Sequence, residues 1–167
     1  MSPIDWAMRP LKKYADFSGR APRAEYWWFY LLIIAVYAVA MIIDSIVGVA
    51  AFGPYGIVTL LVMVGLIVPS LAAGVRRLHD TNRTGWWMAA PLVPYCVALV
   101  MMGPTLADPA AMAAGGAGMG ALGGAMIFML IGFVFAVVVF VFLVLPGTKG
   151  PNNYGDDPYA GGPARAM

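Results

Sequence analysis

The chain has 167 residues, 62% of them hydrophobic and 11% charged, where soluble domains average roughly 45–50% apolar and 25% charged. That imbalance excludes a soluble globular class and points to an integral membrane protein with room for one domain. A net charge of +2 excludes a nucleic-acid partner, because no basic face is large enough to neutralise many phosphates. One cysteine, Cys96, and one histidine, His79, leave no internal disulfide and no credible zinc or haem ligand set, so no metal or cofactor is expected.

Met1 to Asp16 opens with a capping signal: Ser2 as cap, Pro3 in the first turn and Asp5 at the spacing of a capping box. Ile4, Met8, Leu11 and Ala15 then share one face, opposite Arg9, Lys12 and Lys13. This predicts a short interfacial helix on anionic lipid, bent or split at Pro10. A frayed basic tail is the competing reading, since short helices are weak alone. The first 25 residues are mixed polar text without the charged tip and apolar core of a cleaved signal, so the first span is expected to direct insertion.

Phe17 to Trp28 reads FSGRAPRAEYWW. Gly19 marks a turn, Pro22 suits a new helix start and Glu25 suits its positive end. Tyr26, Trp27 and Trp28 stand where an interfacial aromatic belt belongs. The first span is placed at residues 26–44, close to the roughly 20 residues a crossing helix needs. Asp44 interrupts the apolar text at the far end. An acid in a span is a functional candidate, but its depth predicts a wetted helix end.

FGPYG at 52–56 is a turn, and a second span follows at 57–75 with Pro69 inside it. That proline is expected to kink the helix and release a carbonyl for Ser70 or a neighbouring helix to satisfy. Arg76 and Arg77 close the helix, where cations suit both its negative end and lipid phosphate. The loop RRLHDTNRTGWW then leads to a third span at 85–102, opened by Trp86 and Trp87 and distorted by Pro91 and Pro94.

The connection at 103–120 contains Asp108 and no basic residue, and runs into GGAGMGALGGAM. Gly118, Gly120 and Gly123 spell a dinucleotide fingerprint, rejected because no strand precedes it and a membrane span comes next. Gly116, Gly120 and Gly124, four apart, instead form a ridge that lets another helix approach, and a homo-oligomer is one use for it. The fourth span is placed at 121–145. Pro146 stops it, and PGTKGPNNYGDDP begins a turn-rich tail, with the last residues expected to be disordered.

All ten Lys and Arg residues fall in the N-terminal region, the loop between spans two and three, or the tail. The positive-inside rule then places both termini in the cytoplasm. The expectation is an all-α four-helix membrane bundle, N-in and C-in, in a bacterial plasma membrane. Its domains are an interfacial segment at 1–25, a membrane domain at 26–145 and a cytoplasmic tail at 146–167. Arg23 before Trp27 and Trp28, and Arg83 before Trp86 and Trp87, suggest a duplicated hairpin; independent belt chemistry at two helix starts explains them equally.

FSGRAPRAEYWWF, RRLHDTNRTGWW and PGTKGPNNYGDDP resemble the three signatures of the DUF805 family. That resemblance covers nearly the whole chain and implies a small bacterial inner-membrane protein with about four spans; it implies no reaction. Pro22 stands where a polar or basic residue is frequent in the family, and Asn82 and Thr84 replace its usual Gly and Ser.

All three segments are expected on the cytoplasmic side. Arg20, Arg23, Arg76, Arg77, Arg83 and Lys149 could meet Glu25, Asp80, Asp156 and Asp157 there, with His79 among them. The functional hypothesis is a polar cluster at the bundle mouth, closed by the tail, that binds an anionic phospholipid headgroup or a partner. The competing reading is that these charges pair with one another and with bulk lipid to anchor the helices. A headgroup-modifying enzyme using His79 and Asp80 is a minority reading, since no nucleophile or GxSxG, HExxH or Walker motif accompanies them. A small oligomeric channel or transporter is the other, with few mid-membrane polar groups to serve it. No catalytic residue is assigned.

Overall fold

A computed structural model describes residues 2–48, 50–52, 55–107 and 117–160. Its elements are α1 (Pro3–Lys12), α2 (Arg23–Val47), strands β1 (Ala50–Phe52) and β2 (Tyr55–Gly56), α3 (Ile57–Asp80), a 3₁₀ turn (Gly85–Ala89), α4 (Leu92–Ala107) and α5 (Ala117–Val144). Four stretches are long and apolar enough to cross a membrane: Arg23–Val47, Ile57–Asp80, Gly85–Pro104 and Gly118–Val144. At 1.5 Å per residue the first is about 37 Å long, more than a hydrocarbon core of about 30 Å. The chain divides into two compact units, Met1–Gly85 with Leu145–Met167, and Trp86–Val144.

In the first unit α1, α2 and α3 pack together. The capping box forms as the sequence predicts: Ser2 Oγ accepts from Asp5 N (3.1 Å), and Asp5 Oδ2 accepts from Ser2 N (2.8 Å). These bonds hold the Asp5 carboxyl below its ordinary value of 3.8, the Ser2 amide bond contributing most. The helix continues through Pro10 and ends two residues later. Leu11 packs on a small core of Phe29, Ile33 and Ala73, while Ile4 and Met8 stay exposed.

Two irregularities in the spans have specific remedies. Pro69 lacks the N–H that would bond the carbonyl of Gly65, and the Tyr14 hydroxyl donates to that carbonyl instead, at 2.5 Å. At the other end, α3 starts at a glycine cap without a side-chain acceptor. Asp44, from α2, takes that place: its carboxylate accepts from Val58 N (3.0 Å), Thr59 N (2.8 Å) and Thr59 Oγ1 (2.6 Å). Asp44 is therefore not the wetted helix end expected; it is 8% exposed and caps the next helix. Gly56 is required beside it, since a Cβ there would lie 2.6 Å from Asp44 Cβ. Strands β1 and β2 pair antiparallel, Phe52 opposite Tyr55, and close this α2–α3 turn.

In the second unit α4 packs against α5. The expected distortion of span three is a break: the 3₁₀ turn ends at Ala89 and α4 starts at Leu92, with Pro91 between them and Pro94 in its first turn. Trp87 meets Phe142 edge-on, with ring centroids 5.2 Å apart. Of the glycine ridge, Gly116 lies outside the described residues, Gly120 has open space where a Cβ would stand, and Gly124 faces the methyl end of Met101. A further close approach is at Gly132, where a Cβ would come within 2.7 Å of the Tyr95 ring. Around α5, Ile127, Phe133, Val134 and Phe140 are exposed, as lipid-facing residues are.

Candidate functional site

The site lies at the C-terminal end of α3, where the chain's three polar segments meet within the first unit. A helix end leaves its last carbonyls without intrahelical donors. Here Leu78, His79 and Asp80 find donors beyond the helix, and Arg76 gains one as well. Ala21 N donates to Arg76 O (2.9 Å), Arg83 N to Leu78 O (2.9 Å), Asn152 Nδ2 to His79 O (2.9 Å), and Thr148 N to Asp80 O (2.8 Å). The chain leaves the helix through Asn82, whose φ of 57° is left-handed. Asn tolerates that region better than other non-glycine residues, which accounts for Asn at the position where the family's signature has Gly.

Two ion-pair groups are built on this frame. In the first, Asp80 accepts from Arg20 Nε on one oxygen (3.0 Å) and from Arg77 Nη1 on the other. Arg20 also donates to Gly150 O (2.7 Å) and Thr148 O (2.6 Å), and Arg77 to Leu145 O. Gly147 has no room for a side chain, because a Cβ would lie 2.6 Å from the Asp80 carboxyl carbon. In the second, Glu25 receives Arg76 Nη2 (3.1 Å) and faces Arg9 Nε (3.4 Å), while Arg76 Nη1 donates to Asp16 O. Asp16 is itself held below the ordinary carboxylate value by the Ser18 hydroxyl and amide.

Burial separates this arrangement from a routine charged surface. Arg76 and Arg77 are 0% exposed, Glu25 1% and Asp80 2%. Buried charges persist only when paired and hydrogen-bonded. Arg20, Arg76 and Arg77 outnumber Glu25 and Asp80 by one, and backbone carbonyls of distant segments solvate the extra cation.

Of the residues singled out in the sequence, Arg20, Arg76, Arg77 and Asp80 are thus brought together, with His79 beside them. His79 Nδ1 faces Gly19 O (3.2 Å), and its ring stacks on Tyr154 at 3.9 Å. Its neighbour Asp80 is directed at the two arginines, so the adjacent His and Asp serve different partners. Arg23 is exposed and donates to Leu145 O (3.2 Å). Arg83 bonds Thr81 O (3.1 Å), and Lys149 is exposed. Tyr26 and Trp27 meet edge-on at 5.3 Å, and Trp28 is exposed. Trp86 and Trp87 belong to the second unit.

Sequence reasoning missed Arg9, taken as a lipid-facing cation, and the tail residues Gly147, Thr148 and Asn152. Only their position inside a signature-like segment marked the last three. Beside the Asp80 group lies a cleft of about 290 Å³, lined by Arg20, Arg23, Asp80, Thr148, Asp157 and Tyr159 together with Pro146 and Gly147. Asp157 is fixed there by the amides of Gly150 (3.0 Å) and Tyr159 (2.9 Å).

Residues 14–156 match the family described as protein of unknown function, DUF805. The chain is 32% identical over 158 residues to the inner membrane protein YhaI of Escherichia coli K12, covering 95% of this chain and 98% of that one. It is 37% identical over 99 residues to the inner membrane protein YhaH of the same organism, covering 59% and 82% respectively. No solved structure matches. Four apolar helices and these inner-membrane relatives make this a multi-pass protein of the inner membrane. With the match covering the first two polar segments, all but the last two residues of the third and the chain between them, the protein belongs to the DUF805 family.

Proposed function

We propose that the four spans form one bundle with both termini in the cytoplasm, that α1 lies in the interface, and that the cleft beside Asp80 binds the phosphate of a membrane lipid headgroup. The orientation is supported by the ten basic residues, all in the N-terminal region, the segment after α3 or the tail. The interfacial role of α1 is supported by Ile4 and Met8, exposed on its apolar side. Tyr26, Trp27 and Trp28 stand within two turns of Arg23, which supports a cleft at headgroup depth.

The observation that carries the reading is the cleft itself, with two guanidinium groups in its wall. Guanidinium forks match phosphate oxygens, and positive sites on the cytoplasmic leaflet attract them. Arg20, Arg76 and Arg77 face internal partners, so the headgroup role rests on the exposed Arg23. Native mass spectrometry of the detergent-purified protein tests it. Arg23→Gln is expected to lower retained phospholipid by roughly fivefold, the upper worth of an exposed charge pair. Equal retention in the variant overturns the headgroup assignment.

A further inference from the structure

The cleft wall is not simply basic. It carries two arginines, Arg20 and Arg23, and two aspartates, Asp80 and Asp157. Asp80 and Arg20 are buried and paired with each other, so a purely anionic headgroup would meet the Asp157 carboxylate as well as the Arg23 guanidinium, and like charges at contact distance are unfavourable. A zwitterion would meet each sign with its opposite.

The charges are also graded with depth. At the buried end Arg20 and Arg77 share the single carboxylate of Asp80, which leaves one net positive charge there. Toward solvent stand the half-buried Asp157 and the exposed Tyr159. The Gly150 and Tyr159 amides hold the Asp157 carboxylate in a fixed orientation, so the negative group is preorganised. The volume of about 290 Å³ sits at the lower limit of ligand pockets, which run from roughly 300 to 1,000 Å³. It suits a headgroup-sized molecule.

Resting on the proposal that this cleft takes a lipid phosphate, we infer that it selects a zwitterionic phosphate ester with a primary ammonium, the phosphoethanolamine class. The phosphate lies against Arg23, and the ammonium donates to Asp157. A trimethylammonium group has no N–H for that carboxylate and needs more room. The same chemistry could reach the site as a lipid headgroup or as a soluble ester.

The test is lipid selectivity in nanodiscs of equal phosphatidylethanolamine, phosphatidylglycerol and phosphatidylcholine, followed by native mass spectrometry of the full chain. The expected result is phosphatidylethanolamine enriched by roughly threefold over either competitor, the worth of one partly exposed charge pair. Asp157→Asn is expected to bring that ratio to about one. Wild-type protein that retains phosphatidylglycerol or phosphatidylcholine at least as well overturns the inference and leaves the headgroup reading standing. Wild-type retention no greater than that of Arg23→Gln overturns both. The wild-type ratio decides even if the Asp157 variant does not fold. Given enrichment, displacement by millimolar glycerophosphoethanolamine but not glycerol 3-phosphate supports the inference with a soluble source. Resistance to both supports it with the lipid as source.

Discussion

Asp80 balances two guanidinium groups with one carboxylate, and its backbone carbonyl anchors the tail through Thr148. Asp80→Asn keeps the shape and removes the charge, which leaves Arg20 and Arg77 buried without a counter-ion. Breaking a buried pair in this way costs about 3–5 kcal/mol. The expected outcome is a correspondingly lower unfolding midpoint in an SDS–dodecylmaltoside titration, whereas a change below about 1 kcal/mol would place Asp80 among ordinary surface charges. The charged text of the three segments was legible in the sequence, and so was their convergence. Their burial was not. Arginine-rich loops normally read as solvated faces. What permits burial here is a set of carbonyls from Asp16, Leu145, Thr148 and Gly150, whose proximity no local pattern announces.

At the scale of elements, the long apolar helices overlap the stretches that hydropathy marks, and departures follow from what satisfies helix ends. α3 runs to Asp80 rather than closing at Arg76 and Arg77, because its last carbonyls receive donors from three segments and its arginines need not reach solvent. Pro69 announced a released carbonyl, but nothing in the local text named Tyr14 as its donor. Asp44 looked like a wet terminus by depth alone; its use as a cap depends on the hairpin that brings Thr59 back to it. Asp44→Ala is expected to destabilise the protein by about 1–2 kcal/mol, as loss of a helix cap does. Hydrogen exchange should accelerate at the Val58 and Thr59 amides, and unchanged exchange there would contradict the capping role. Of the helix-packing glycines proposed from spacing, among the described residues Gly124 faces a neighbour and Gly120 does not, while Gly132, outside that spacing, also stands against a side chain. A four-residue period identifies candidate faces, and the partner's side chains decide which glycine is needed.

For the molecule as a whole, the pattern is that of a soluble protein reversed. Large apolar residues such as Ile46, Val64, Val100 and Leu130 are exposed, while Arg76, Arg77, Glu25 and Asp80 are buried. A bilayer accounts for the first group, and a self-paired polar cluster at one of its faces accounts for the second. Every functional statement above depends on which face that is. Cysteine accessibility decides it, in a Cys96→Ser background because the native thiol is exposed. Single substitutions Ser2→Cys, Asn153→Cys and Tyr55→Cys all fall at exposed positions. A membrane-impermeant maleimide applied to intact spheroplasts should label Tyr55→Cys at once and the other two only after lysis. Labelling of Ser2→Cys or Asn153→Cys in intact spheroplasts would put the cluster outside the cell and contradict the account.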